Sequence, residues 1–436
     1  MPASLDRRLG TGDAVVIGLG SMVGAGIFSA FGPAAAAAGS ALLLGLALAG
    51  GIAYCNAVAS AQLAAQYPTS GGTYVYGRER LGEWWGFAAG WAFVVGKTAS
   101  CAAMALTFAA YAIPSSAWVQ RLVAVAAVLA LTALNYRGIS RTAYATRLLV
   151  GISLACLLVA IFAIATSGET DASRLGHWPS FGAGGLHGVL QAAGFLFFAF
   201  AGYARIATLG EEVREPTRTI PRAIPIALGI ALALYVVVGI AALAGAGPAA
   251  LASSTKPLAT AVDAVGSSWA LPFVRVGAAV ASLGALLALI AGVGRTSLAM
   301  ARNGDLPRFL DSVHPRYRVP DRAELAVGAA VAVVVAASGL RNAIAFSSFG
   351  VLLYYAIANA SAFTQSPGHR RWPRALNVVG CIGCVVLVAA LPLSAIVVGS
   401  AVLAVGLAGR AVAGSLAPWR HRSSSRARRS SPSGGA

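Results

Sequence analysis

Two glycine-containing stretches interrupt long apolar segments of the chain. The first covers residues 18–28 (GLGSMVGAGIF) and the second covers residues 197–205 (FFAFAGYAR). Because glycine weakens a helix by about 1 kcal/mol relative to alanine, we expect the backbone to unwind in the first stretch. Backbone groups released there must find a ligand, water or neighbouring protein. Close helix packing through Gly20-x-x-x-Gly24 is the alternative for that stretch, and the second interruption favours a binding site.

Lys97 lies near the middle of a third apolar segment, in the order Gly96-Lys97-Thr98. An ammonium group at the centre of a bilayer costs at least a few kcal/mol and marks function by default. We therefore expect Lys97 to carry a proton that couples to transport or binding. A structural ammonium held by backbone carbonyls near a helix break is the alternative. The tripeptide also matches the end of a phosphate-binding loop, but Trp91 occupies the position of the required first glycine, which excludes that motif.

Arg205 closes the second interrupted stretch. It is expected either to contact a ligand or gate, through Glu212 on the same helical face, or to reach into a cytoplasmic vestibule. All 14 acidic residues fall in loops or at the ends of apolar segments. A carboxylate proton relay inside the bilayer is therefore not expected, and neither is an acidic pocket for a cationic substrate.

The elements that position these residues are membrane-spanning helices. Of 436 residues, 58% are hydrophobic and 11% are charged, against about a quarter charged in soluble domains. This composition excludes a secreted disulfide scaffold, a cytosolic enzyme and a free nucleic-acid binder. Twelve apolar segments approach the roughly 20 residues that span a bilayer. They are 13–37, 41–65, 85–113, 118–135, 145–166, 186–210, 223–246, 271–296, 323–339, 343–363, 375–391 and 393–411.

The basic residues predict the orientation of these spans. With the N-terminus in the cytoplasm, 25 of the 32 lysines and arginines fall inside, five fall outside and two lie within spans. This bias follows the positive-inside rule. Both termini are thus expected in the cytoplasm, and the net charge of +18 reflects topology rather than nucleic-acid binding. The basic tail, residues 413–436, is predicted to be disordered and able to contact anionic lipid.

Three stretches resemble the amino acid–polyamine–organocation superfamily and, within it, bacterial amino acid permeases. They are residues 24–28 (GAGIF), residues 200–203 (FAGY) continuing through 211–216 (EEVREP) and 220–222 (IPR), and residues 299–307 (AMARNGDLP) followed by 314–315. The resemblance covers about residues 10–410. It implies an all-α integral membrane protein with a 5+5 inverted repeat, like the sodium-coupled leucine transporter, plus two C-terminal helices. One domain over 1–412 would hold repeats at about 13–166 and 186–363 and final helices at about 375–411.

The resemblance also implies a substrate site at the two interruptions. The N–H groups of Gly24, Ala25 and Gly26, at a half-helix N-terminus, suit an amino acid carboxylate. Free carbonyls would suit the ammonium group. By position these belong to Met22, Phe198 and Ala201, and Phe198 also matches the aromatic residue that closes over substrate in relatives. Phe198 and Arg205 are therefore the predicted gate residues.

The chain departs from the family pattern at the coupling positions. Relatives often carry an acid just after the glycine–aromatic pair of span six, where this chain has Ala204 and Arg205. Some proton-coupled relatives carry a span-five lysine, which aligns here with Ser153. Span eight offers Ser282 without a second hydroxyl before Thr296, which argues against a dedicated sodium site. Lys97 is the candidate that replaces the missing charge.

These observations predict secondary transport of free amino acids across the plasma (inner) membrane by alternating access. Proton-coupled uptake of a neutral amino acid is the first expectation, amino acid exchange is the alternative, and a non-transporting sensor is a third. No enzyme activity, cofactor or metal is expected, because the histidines lie in loops, at a span edge or in the tail, and the five cysteines, Cys381-x-x-Cys384 included, suit packing. Residues 114–120 contain no cysteine, so no disulfide-linked heavy subunit is expected. The oligomeric state stays open.

Overall fold

The computed structural model describes residues 9–69, 71–138, 143–176, 184–207 and 212–415. Within these ranges the chain is all-α, as predicted, and pairing of strand type is confined to one bridge between Leu9 and Val213. The helices, in chain order, are α1 (Thr11–Met22), α2 (Ala25–Ser29), α3 (Phe31–Ala38), α4 (Leu42–Gln66), α5 (Thr73–Leu81), α6 (Glu83–Ala112), α7 (Ala117–Tyr136), α8 (Ala143–Ala165), α9 (Gly185–Phe200), α10 (Ala204–Ala207), α11 (Pro216–Ala252), α12 (Pro257–Ala264), α13 (Leu271–Arg302), α14 (Asp321–Ala337), α15 (Leu340–Phe363), α16 (Arg374–Ala390) and α17 (Leu393–Ser415).

In the described residues, ten helical stretches are long and apolar enough to cross a membrane. They correspond to predicted spans one to eight, ten and twelve. Predicted spans nine and eleven are the helices α14 and α16, each of 17 residues, which is about 26 Å of helix. The count of twelve spans therefore stays a prediction. Glu211 and the tail from residue 416 onward lie outside the described residues.

Span seven differs from its predicted limits. The prediction of 223–246 stops one residue before Gly247, where the structure has a kink with φ +75°. The helix then resumes at Pro248 and continues to Ala252. The Arg174 guanidinium donates to the carbonyls of Ala244 and Gly245 at 3.1 and 2.6 Å, which satisfies acceptors that the kink releases.

The buried core divides between two groups of helices. One apolar cluster joins residues of α1 to α4, α9 and α11, and a second joins residues of α6, α13, α14 and α15. Helix α6 packs against both α13 and α15. The interrupted spans one and six, which contain the predicted site, lie together in the first group, and Lys97 reaches them from α6.

Candidate functional site

Span one is interrupted where the glycine pattern predicts. Helix α1 ends at Met22, and Val23 (φ −76°, ψ 61°) and Gly24 (φ −112°, ψ −149°) leave helical geometry before α2 begins at Ala25. Ala30 has helical dihedrals, so α2 runs on into α3. A Cβ atom at Gly24 would lie 3.1 Å from the Ala285 side chain of α13. Gly24 therefore also permits close helix packing, which was the alternative interpretation of this glycine stretch.

Span six is interrupted by a single 3-10 turn. Helix α9 ends at Phe200, the turn covers Ala201–Tyr203, and α10 begins at Ala204. The backbone of this turn touches the break in span one. A Cβ at Gly202 would overlap the Ser21 carbonyl, and a Cβ at Gly26 would lie 2.5 Å from the Ala199 Cα. The two breaks therefore pack backbone to backbone at the centre of the molecule.

Tyr235 of α11 bridges the two breaks. Its hydroxyl oxygen lies 2.6 Å from the Met22 carbonyl oxygen and 3.0 Å from the Ala199 carbonyl oxygen. One O–H group thus donates between an acceptor in each interrupted span. The ring is fully buried and packs on Phe200 with 5.0 Å between centroids. Tyr235 therefore fixes the distance between the two breaks.

Lys97 connects α6 to the span-six break. Its side chain is buried, and Nζ donates to the Ala201 carbonyl at 3.1 Å. The Tyr355 hydroxyl of α15 approaches the same oxygen at 3.5 Å. Lys97 stands about 21 Å along α6 from Glu83, which agrees with the predicted mid-membrane position. This bond satisfies the structural alternative for Lys97 and also places its ammonium at the predicted site.

The predicted backbone ligands differ in availability. The prediction that the Met22 and Ala201 carbonyls are free is wrong for this conformation, because Met22 accepts from Tyr235 and from the Gly24 N–H at 2.8 Å, and Ala201 accepts from Lys97. The reason is that buried carbonyls pair with the donors that neighbouring side chains and backbone supply. Ala25 and Gly26 form the first turn of α2, where N–H groups have no acceptor within the helix.

Phe198 lies in the last turn of α9, three residues before the break begins at Ala201. Its side chain is 7% exposed and packs with Phe195 among apolar residues of α6 and α13. This position beside the break is compatible with the predicted gate, and that role stays a prediction.

Arg205 lies in α10 and is half-buried. Its guanidinium lies within electrostatic range of Arg295 on α13 and of Glu212. The described part of α10 covers Ala204–Ala207, and residues 208–211 lie outside the described residues. The shared helical face with Glu212 and the gate role of Arg205 therefore stay predictions.

The hydroxyls considered for ion coupling are buried. Ser153 donates to the Leu149 carbonyl of its own helix at 2.8 Å. The Ser282 hydroxyl on α13 has no hydrogen-bond partner among the described residues. Within the same described part of the chain, no group of three or more histidine, cysteine or acidic residues is placed to hold a metal.

The sequence reasoning missed Tyr235, Tyr355 and a buried pair of asparagines. The Asn359 Nδ2 of α15 donates to Asn56 Oδ1 of α4 at 2.6 Å. The available signal was the rarity of such side chains inside apolar spans, where polar groups pair with one another. Which partner each residue finds depends on how distant helices pack, which a single span does not reveal.

A second buried charge lies where α5, α17 and the loop after α13 meet. Asp305, in the loop after α13, accepts from Arg78 at 2.9 Å, from Arg410 at 2.7 Å and from the Tyr74 hydroxyl at 2.6 Å. Burial, followed by the bond to Asp305, raises the pKa of Tyr74 to about 12. This hub ties α5 and α17 to the loop that carries the third family-like motif.

Long apolar helices with two interrupted spans in contact are typical of multispanning transporters. Residues 9–418 match the family model described as amino acid permease. The chain therefore belongs to the amino acid permease family, and the predicted superfamily is confirmed.

Relatives agree with this assignment. The chain is 58% identical over 409 residues to a protein of Mycobacterium tuberculosis named as an uncharacterized transporter, covering 94% of this chain and 91% of that protein. It is 26% identical to a branched-chain amino acid permease of Bacillus subtilis, covering 86% and 84%. It is 28% identical to a methylthioribose transporter of Bacillus subtilis, covering 84% and 82%. Family and relatives together support amino acid transport.

Proposed function

We propose that this permease takes up a neutral amino acid together with a proton, and that Lys97 carries that proton. The observation that carries the proposal is the 3.1 Å bond from the Lys97 ammonium to the Ala201 carbonyl. In the described part of the chain, no carboxylate lies within ion-pair distance of Lys97. Its charge therefore depends on a backbone group that belongs to the predicted substrate site.

The substrate is bound mainly by backbone. Its carboxylate accepts from the N–H groups of Ala25 and Gly26. It also accepts from the Gly24 N–H once that group releases the Met22 carbonyl. Its ammonium approaches the carbonyls of Met22, Phe198 and Ala201. The absence of an acidic side chain among the proposed site residues favours a neutral substrate side chain, as does the branched-chain substrate named for one relative.

Coupling follows from the bond between Lys97 and the Ala201 carbonyl of the span-six turn. Protonated Lys97 holds this carbonyl and supplies a positive charge near the bound carboxylate. When Lys97 loses its proton, the charge that holds the carbonyl disappears and the span-six turn is free to move. Proton and substrate thus enter together from outside and leave together inside. Phe198 closes the site on the outer side, and Arg205, near Arg295 and Glu212, closes the cytoplasmic side.

The protein is placed in the plasma membrane with both termini in the cytoplasm. This placement is supported by the excess of basic residues in the predicted inner loops. Anionic lipid is the expected neighbour of the basic tail. No cofactor, metal or heavy subunit takes part in the proposed cycle.

The test compares two substitutions in proteoliposomes. Lys97→Arg keeps a cation that does not release its proton, whereas Lys97→Met removes the charge. We expect uptake of labelled branched-chain amino acid driven by an imposed pH gradient to fall by about tenfold or more in both variants. Exchange against preloaded amino acid should persist in Lys97→Arg. Gradient-driven uptake by Lys97→Arg at the wild-type rate would refute proton transfer by Lys97, and wild-type uptake that requires preloading would identify an exchanger.

A further inference from the structure

A column of buried polar side chains runs along the contact between α4 and α15, on the cytoplasmic side of Lys97. It begins at Tyr355, whose hydroxyl approaches the Ala201 carbonyl that Lys97 also contacts. The next level is the pair Asn56 and Asn359. The last level is a pair of glutamines, Gln62 and Gln365, joined by a 3.4 Å bond from Gln365 Nε2 to the Gln62 carbonyl.

The column covers the inner half of the membrane. Asn359 follows Tyr355 by four residues on α15 and Gln62 follows Asn56 by six residues on α4, which is about 6 Å and about 9 Å along a helix. The inner level adjoins the cytoplasmic loop, because the Arg371 N–H donates to Gln62 Oε1 at 3.2 Å. The column therefore leads from the Lys97 contact to the inner surface.

The asparagine and glutamine levels have polar atoms that the described part of the protein does not satisfy. In the described part of the chain, Asn56 Nδ2 and Asn359 Oδ1 have no hydrogen-bond partner, and neither do Gln62 Nε2 and Gln365 Oε1. All four residues are at most 1% exposed. Buried polar groups are almost always paired with protein or ordered water, and four such atoms along one contact call for a shared explanation.

We propose that this column holds a chain of water molecules through which Lys97 releases its proton to the cytoplasm. The inference rests on the proposed role of Lys97 as the proton carrier. The Lys97 ammonium gives one proton to the nearest water, the proton passes along the chain, and neutral Lys97 remains to be protonated again from outside. The titratable and charged groups beside this route include Cys101 on α6, Tyr203 in the span-six turn, Tyr354 and Tyr355 on α15, Cys55 on α4 and Cys384 on α16. At the inner level, the Arg370 guanidinium donates to the Gln365 carbonyl at 2.6 Å.

Water fits these atoms better than a metal cation does. The asparagine level and the glutamine level each leave one donor and one acceptor, the two functions that a water molecule combines. A cation site would require oxygen ligands at both positions. The step between the asparagine and glutamine levels is about 9 Å, a distance that a few hydrogen-bonded waters can cover. The Ser60 hydroxyl on α4 lies within this step and is buried.

Transport assays separate this route from the function that it serves. Asn359→Leu and Gln365→Leu remove one level each, and Ser361→Ala is the matched control, because Ser361 is buried on α15 and donates to the Ile357 carbonyl of its own helix. We expect pH-gradient-driven uptake, with proton entry followed by a dye inside the vesicles, to fall by about tenfold in both leucine variants. Exchange against preloaded amino acid should stay within about twofold of wild type.

The outcomes are distinguishable. If wild-type protein shows no proton entry with substrate, the proposed function fails before the column is tested. If wild type couples protons and both leucine variants couple them equally well, the column is a dry helix contact and the inference is wrong. Equal loss of exchange and proton-driven uptake would also overturn it, since that result indicates a role in folding or conformational change.

A spectroscopic measurement tests hydration without altering the column. Cys384 Sγ donates to Asn56 Oδ1 at 3.4 Å, so its S–H stretching band reports on this level. Subtracting the spectrum of Cys384→Ala from that of wild type isolates the Cys384 band. The control is Cys156, a buried thiol on α8 beside Gly277, whose band is isolated in the same way with Cys156→Ala. Transfer to D₂O should exchange the Cys384 S–H faster than the Cys156 S–H. Equal or slower exchange at Cys384 would contradict a water-filled column.

Discussion

The hub around Asp305 and the break region around Lys97 each contain a buried charge, and the two charges are stabilised in different ways. Asp305 has a side chain 4% exposed and is held by two guanidinium groups and a phenol. Lys97 is also buried, but its bond goes to a neutral carbonyl in a 3-10 turn. A charge surrounded by counter-charges is stable in one arrangement. A charge that depends on one carbonyl can change its partner or its proton, which is what a transport cycle requires.

Neutralising Asp305 should therefore have the largest effect on stability. Asp305→Asn leaves Arg78 and Arg410 without their shared carboxylate, and breaking a buried ion pair costs about 3–5 kcal/mol. We expect a markedly lower melting temperature of the purified protein in detergent. Asp311→Asn is the control, because Asp311 pairs with Arg302 in an exposed position of the same loop, where ion pairs contribute about 0–1 kcal/mol. Equal melting of the two variants would remove the distinction between hub and surface.

Gly202→Ala tests whether the break region is held by backbone contact. The added methyl group meets the Ser21 carbonyl and the Met22 backbone, neither of which can turn away as a side chain can. Overpacking of this kind costs about 1–3 kcal/mol, so we expect lower thermal stability and slower uptake. Gly229→Ala, on a helix with open space around the glycine, should be neutral. A neutral Gly202→Ala would mean that the breaks do not pack as closely as described.

Lys97→Met sharpens the contrast directly. The variant removes a buried ammonium and leaves the Ala201 carbonyl with the weaker contact from Tyr355. An unsatisfied buried acceptor costs about 1–3 kcal/mol, which the lower desolvation cost of methionine offsets in part. We expect a smaller shift in melting temperature than for Asp305→Asn, together with the larger loss of gradient-driven uptake. The reverse order would make Lys97 the structural charge and Asp305 the functional one.

The interrupted spans were predictable from the sequence because glycine clusters act locally. The same holds for Lys97, whose position in an apolar run already required a partner near a helix break. Tyr235 was not predictable, since its acceptors are 36 and 213 residues away and depend on helix packing.

The smallest expected effect concerns the alkaline stability of the hub. The pKa of Tyr74, raised to about 12 by burial and by Asp305, lies above the value of about 10 for an unfolded tyrosine. Its contribution to stability is therefore complete below about pH 10 and is lost as the pH rises through 12. Melting temperatures measured between pH 8 and pH 11 should fall less steeply for Tyr74→Phe than for wild type. Parallel curves would mean that the phenol does not contribute to the hub.

The contact between Gly202 and the backbone of Ser21 also limits how the molecule can change shape. No side chain separates spans one and six at this contact, and the Tyr235 hydroxyl donates to a carbonyl in each span. The two spans therefore have little room to slide against each other. They are then expected to turn together, as one rigid body, against the frame formed by α6, α13 and α15. The bond from Lys97 to Ala201 crosses that boundary at mid-depth. Each turnover would stretch or break this hydrogen bond, so the lifetime of the bond would limit the turnover rate of the transporter.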